Sequence, residues 1–67
     1  MQEKIGLTAG QIWEYLYHHG SATAIKLKSE LGVSNSVLYL ALGWLAREDK
    51  IELAESDHSF KIILKRQ

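Results

Sequence analysis

Residues 23–49, TAIKLKSELGVSNSVLYLALGWLARED, decide the fold. Thr23 carries a side-chain oxygen suited to capping a helix start, and Ile25, Leu27, Lys28 and Leu31 follow on that helix. Gly32 stops the helix, because a residue of positive φ is wanted at that point. Val33 then leads to Ser34, a second capping residue. From Asn35 to about Asp49, Val37, Leu38, Ala41, Leu42 and Leu45 recur at helical spacing and make one continuous apolar face. Val33 and Leu38 have the spacing of a hydrophobic staple across the second cap.

Two helices joined by the tight turn Gly32-Val33-Ser34 form the helix-turn-helix pattern. Upstream, Thr8 and Gln11 stand at capping-box spacing, and Leu7 and Ile12 at staple spacing, which predicts a first helix starting at Thr8. Ile12, Trp13 and Leu16 share one face of it, and Gly20 ends it. Ser21, Ala22 and Thr23 form either a brief strand or a plain connection. Downstream the period changes from 3.6 to 2: Ile51 and Leu53 alternate with Glu52 and Ala54 or Glu55, and Phe60, Ile62 and Leu64 with Lys61, Ile63 and Lys65, around the turn-rich Ser56-Asp57-His58-Ser59. A lone hairpin is marginal in water, so this one must pack on the helices.

The expected fold is α+β: three helices and a C-terminal two-stranded hairpin, with a short third strand where Ser21–Thr23 extends. All 67 residues make one domain. The expected core is Ile12, Trp13, Leu16, Ile25, Leu27, Leu31, Val37, Leu38, Ala41, Leu42, Leu45, Ile51, Leu53, Phe60 and Ile62.

This order resembles winged helix-turn-helix domains in general. The run Leu38-Tyr39-Leu40-Ala41-Leu42-Gly43-Trp44-Leu45-Ala46-Arg47-Glu48-Asp49-Lys50-Ile51, with Ile12-Trp13, looks like the signature of a small prokaryotic family of stand-alone winged helix-turn-helix domains of unknown function. The resemblance implies the fold and a regulatory or DNA-binding role by analogy, and brings no ligand or catalytic residue with it.

Composition narrows the function. The chain is 46% hydrophobic and 24% charged, which suits a globular domain and not a disordered one. It has no cysteine, hence no disulfide and no thiolate metal site. No apolar run reaches a membrane span's length, and no signal-peptide core is present, so a cytoplasmic location is expected and membrane binding is not. His18 and His19 are adjacent on a helix, about 100° apart, and do not readily share one ion. Contiguous Ser56, Asp57, His58 and Ser59 cannot orient a catalytic triad across a pocket. No enzyme activity, metal, cofactor or small-molecule substrate is expected.

Two binding readings remain. In the first, a DNA-binding, transcription-regulator-like module, the helix from Asn35 enters the major groove. Asn35, Ser36 and Tyr39 face the bases while Lys26, Lys28 and Arg47 hold phosphates. Against this stand the balance of eight basic and eight acidic residues and the acidic turn Glu55-Ser56-Asp57-His58-Ser59. In the second, a protein-interaction module, Tyr39, Leu40, Gly43 and Trp44 form an apolar patch that takes a second copy or another protein. Gly43 costs about 1 kcal/mol relative to alanine inside a helix, which asks for a close backbone approach. Trp44 either belongs to this patch or folds back into the core.

Overall fold

A computed structural model describes residues 2–55 and 59–65. Three helices, α1 (Gln2–His19), α2 (Ala24–Leu31) and α3 (Asn35–Arg47), pack on a sheet of β1 (Ser21–Thr23), β2 (Ile51–Glu55) and β3 (Phe60–Leu64). The sheet is antiparallel with order β1-β3-β2, so the last strand lies in the middle. Ser21–Thr23 is thus a strand, paired from Ser21↔Ile63 to Thr23↔Lys61.

The caps follow from local chemistry. The Thr23 hydroxyl accepts from the Lys26 N–H at 3.1 Å, and the Ser34 hydroxyl from the Val37 N–H at 3.3 Å. Gly20 and Gly32 take φ values of 83° and 65°, where a side chain would clash with its own backbone. Gly32 donates to the Lys28 carbonyl at 2.9 Å and closes α2. Replacing Ser34 with alanine strips one start-of-helix N–H of its partner. Thermal unfolding by circular dichroism should show a loss of about 1 kcal/mol, or a Tm lower by roughly 4–8 °C for a domain this small.

The first helix departs from expectation. It begins at Gln2, not Thr8; Thr8 is a buried mid-helix residue, and Leu7 is exposed instead of stapled. The reason is the inward stripe Ile5, Ala9, Ile12 and Leu16, which continues a full turn before Thr8 and docks the N-terminal half of the helix. Glu3 adds a favourable charge in the first turn. At the other end α3 stops at Arg47, two residues early. Asp49 adopts φ 60° and turns the chain into β2, its carboxylate meeting the Lys65 ammonium at 2.5 Å.

The core is Ile12 and Leu16 of α1, Ala24 and Leu27 of α2, Leu38, Ala41, Leu42 and Leu45 of α3, and Ile51, Ile62 and Leu64 of the sheet, with Ala9 and Val37 also buried. Leu31 packs against it half-buried. Four expected members are not in it: Trp13, Ile25, Leu53 and Phe60 are all exposed. Ile25 sits about 100° around α2 from Ala24, off the buried face. Leu53 lies on the same sheet face as Ile51, and Phe60 on the same face as Ile62 and Leu64, as the alternation predicts. Leu53 lies on the edge strand β2 and Phe60 at the start of β3; both stay half-exposed beside Tyr39 and Gly43 of α3, and Phe60 meets the Tyr39 ring edge-on at 6.3 Å.

Candidate nucleic-acid interface

Three elements converge at the start of α3. The cap at Ser34 sets where α3 begins, the short turn fixes α2 against it, and the β2–β3 hairpin projects alongside as a wing. Between them lies an open cleft of about 600 Å³ whose polar lining includes Lys28 of α2, Asn35 and Tyr39 of α3, and Glu55 and Ser59 of the wing. Ile25 and Phe60 supply its apolar walls.

Of the six residues expected to contact DNA, three meet here: Lys28, Asn35 and Tyr39. Ser36 is exposed beside them on α3 but does not line the cleft. Arg47 is exposed at the far end of the helix, roughly 18 Å along its axis from Asn35. Lys26 is turned away. Two positions along α2 from Lys28, it lies about 160° around the helix, and its ammonium pairs with Glu30 at 3.1 Å. The hydrogen bond and charge of Glu30 hold the Lys26 pKa above its ordinary value, as Asp49 does for Lys65. Lys28, Arg47 and Lys61 make no ion pair among the described residues. The acidic turn expected at the wing tip falls mostly on Ser56, Asp57 and His58, which lie outside the described residues, as does Arg66.

The expected protein interface, Tyr39, Leu40, Gly43 and Trp44, is exposed throughout, and Trp44 is not core. It is divided, however. Tyr39 and Gly43 border the wing together with Leu53 and Phe60. Trp44 leans the other way, towards α1, beside Gln2, Ile5 and Gly6. A Cβ on Gly43 would meet nothing within 4 Å, so no backbone of this chain approaches it.

Two features escaped the sequence reading. Ile25 and Phe60, assigned to the core, wall the cleft. The stripe Gly6, Gly10, Trp13, Tyr17 on α1 went unseen because the helix was expected to begin at Thr8; its i, i+4, i+7, i+11 spacing was the available signal. The histidines of α1 are engaged with tyrosines: His19 stacks on Tyr15 at 4.1 Å, and His18 meets Tyr17 edge-on at 5.5 Å. No helix is long and apolar enough to cross a membrane among the described residues.

Comparison with known proteins agrees with this architecture. A family model described as Winged helix-turn-helix domain (DUF2582) matches residues 1–64. An uncharacterized protein of Methanocaldococcus jannaschii is 38% identical over 68 residues, an alignment covering 97% of this chain and 96% of that protein.

Proposed function

The chain belongs to the DUF2582 family of winged helix-turn-helix domains, and from that premise we propose that it is a DNA-binding, transcription-regulator-like module whose contact face is the cleft at the start of α3. The observation that carries the reading is the meeting of Lys28, Asn35 and Tyr39 on one open surface beside the wing. In helix-turn-helix proteins the first residues of the second helix of the motif meet the base edges. Asn35 has the amide that pairs with adenine N6 and N7, and Ser36 a hydroxyl that suits any base. Lys28 offers an ammonium to phosphate at the rim of the cleft. Arg47 stands far enough from Asn35 to reach backbone beyond a groove about 12 Å wide.

The charge distribution sets the strength and path of binding. The counterions released follow the number of phosphates that contacting cations neutralise, so a surface whose unpaired cations are Lys28 and Arg47 binds with a mild salt dependence. Glu55 on the wing side repels phosphate, which favours a backbone path on the α2 side of the cleft, at Lys28. Lys26, paired with Glu30, is left out of the surface. A module of this kind works in the cytoplasm of a prokaryotic cell.

The test is a titration of isotope-labelled protein with mixed-sequence duplex DNA at low salt, followed through backbone amide shifts. Salt-sensitive shifts at Lys28, Asn35, Ser36 and Tyr39 are expected, with Kd on the order of 10⁻⁴ to 10⁻⁶ M. A second reading, a winged helix that binds protein and no DNA, is favoured by the zero net charge. Absence of any shift at high duplex concentration would overturn the DNA reading in its favour.

A further inference from the structure

The cleft at the start of α3 is walled by apolar side chains that remain open to solvent. Ile25 is 65% exposed, Tyr39 46% and Phe60 39%, and all three line it. Tyr39 stands one turn after Asn35 on the same face of α3, about 6 Å further along the helix axis. That rise spans roughly two base steps of 3.4 Å, so a helix that sets Asn35 against one base sets Tyr39 against a near neighbour. On the wing side, Phe60 backs the Tyr39 ring edge-on.

We propose that this surface selects A·T base pairs: Asn35 takes adenine, and the Tyr39 ring, walled by Ile25 and Phe60, takes the C5-methyl of thymine. This selection rests on the duplex-binding role proposed above and adds to it which base pair is read. In the major groove the bases present hydrogen-bonding groups, and the thymine methyl is the one apolar group among them. The Tyr39 ring and Ile25 therefore gain from losing water only where a methyl meets them. Against guanine or cytosine they strip water from polar atoms and return no hydrogen bond.

The polar groups at the cleft point to the same pair. The Asn35 amide matches adenine N6 and N7. Guanine calls for arginine or lysine, and Arg47 lies roughly 18 Å along α3 from Asn35. Lys28 belongs to α2, the helix that crosses the sugar–phosphate backbone in this motif, which gives its ammonium to phosphate. Glu55 has the acceptor that suits cytosine N4, but it belongs to the wing and not to the helix that enters the groove.

Three duplexes of one length test the selection by fluorescence anisotropy at one low salt concentration. Their phosphate count is equal, so the backbone contribution is common to all. The first is built of A·T pairs in mixed order, without the A-tracts whose narrow minor groove adds an effect of shape. The second replaces each thymine with uracil, which lacks only the methyl, and the third is built of G·C pairs. The A·T duplex should bind at least about fivefold more tightly than the G·C duplex, the lower end for one bidentate base contact. Uracil should weaken binding roughly three- to fourfold, the worth of one buried methyl. Tyr39→Ala should abolish the difference between thymine and uracil, and Tyr39→Phe, which keeps the ring, should retain it. Tyr39 is exposed, circular dichroism checks that its variants stay folded, and the wild-type comparison of thymine with uracil needs no variant. Equal, salt-sensitive binding to all three duplexes would overturn the selection and leave the duplex-binding role standing. Tighter binding to G·C would overturn it in favour of Lys28 and Glu55 as base readers, and an A·T preference blind to uracil would overturn the part given to Tyr39. Binding to none of the three would overturn the duplex-binding role and the selection with it.

Discussion

Replacing Ile62 with alanine is expected to remove a large share of the protein's stability. Ile62 is fully buried at the middle of the central strand, with Ala22 of β1 on one side and Leu53 of β2 on the other. Its side chain joins the sheet to the helical layer, so its loss opens a cavity that neither layer can easily close. Such truncations cost about 2–5 kcal/mol. A chain of 67 residues holds only roughly 3–10 kcal/mol in total, at about 0.05–0.15 kcal/mol per residue. Urea unfolding followed by circular dichroism would read the loss. A midpoint shifted by less than the equivalent of about 1 kcal/mol, the cost of an average point mutation, would mean that the sheet is not seated on the helices through this residue. Ile62→Val should recover most of the stability, since it removes one methylene and costs about 0.5–1.5 kcal/mol.

Reversing the charge at Lys28 is expected to raise the Kd for mixed-sequence duplex at least about tenfold, and to flatten the slope of log K against log salt by about one unit. The substitution Lys28→Glu removes the cation that lines the cleft and sets an acid opposite Glu55, so phosphate meets two repulsive groups where it met one. Lys26→Gln is the control. It lies on the other side of α2 and is already neutralised by Glu30, so the slope should not change. Fluorescence anisotropy with a labelled duplex over a salt series measures both quantities. Equal effects at the two lysines would show that DNA does not distinguish the faces of α2, and an unchanged Kd for Lys28→Glu would remove the cleft from the contact surface.

How far the fold could be read in advance depended on where its determinants lie. The caps at Thr23, Ser34, Gly20 and Gly32 act over three or four residues, and each stands where the sequence placed it. The start of α1 was misread because Thr8 and Gln11 imitate a capping box, while the true inward stripe begins with Ile5 and passes through the small Ala9. Leu53 and Phe60 were given the correct face but the wrong depth. Alternation reports which way a side chain points, whereas depth depends on how closely the facing helix covers that position. The site divides along the same line. The residue types suited to DNA were visible, and the two-residue step already sets Lys26 about 160° around α2 from Lys28; which of the two meets the cleft depends on how α2 is rotated against its neighbours. The glycine stripe of α1 was hidden by the misplaced helix start.

The strand order also bears on how the molecule is made. β3 holds the centre of the sheet, and β1 and β2 touch it but not each other. During synthesis Ser21–Thr23 emerges early and has nothing to pair with until Lys61–Ile63 has left the ribosome. The helices can gather beforehand, since their caps and turns are local. The sheet cannot form even in part, because its first available pairing already needs the final strand. The nascent chain therefore carries the inner faces of Leu16, Leu27 and Leu42 uncovered on their sheet side until late, and acquires its stability in one step when β3 arrives.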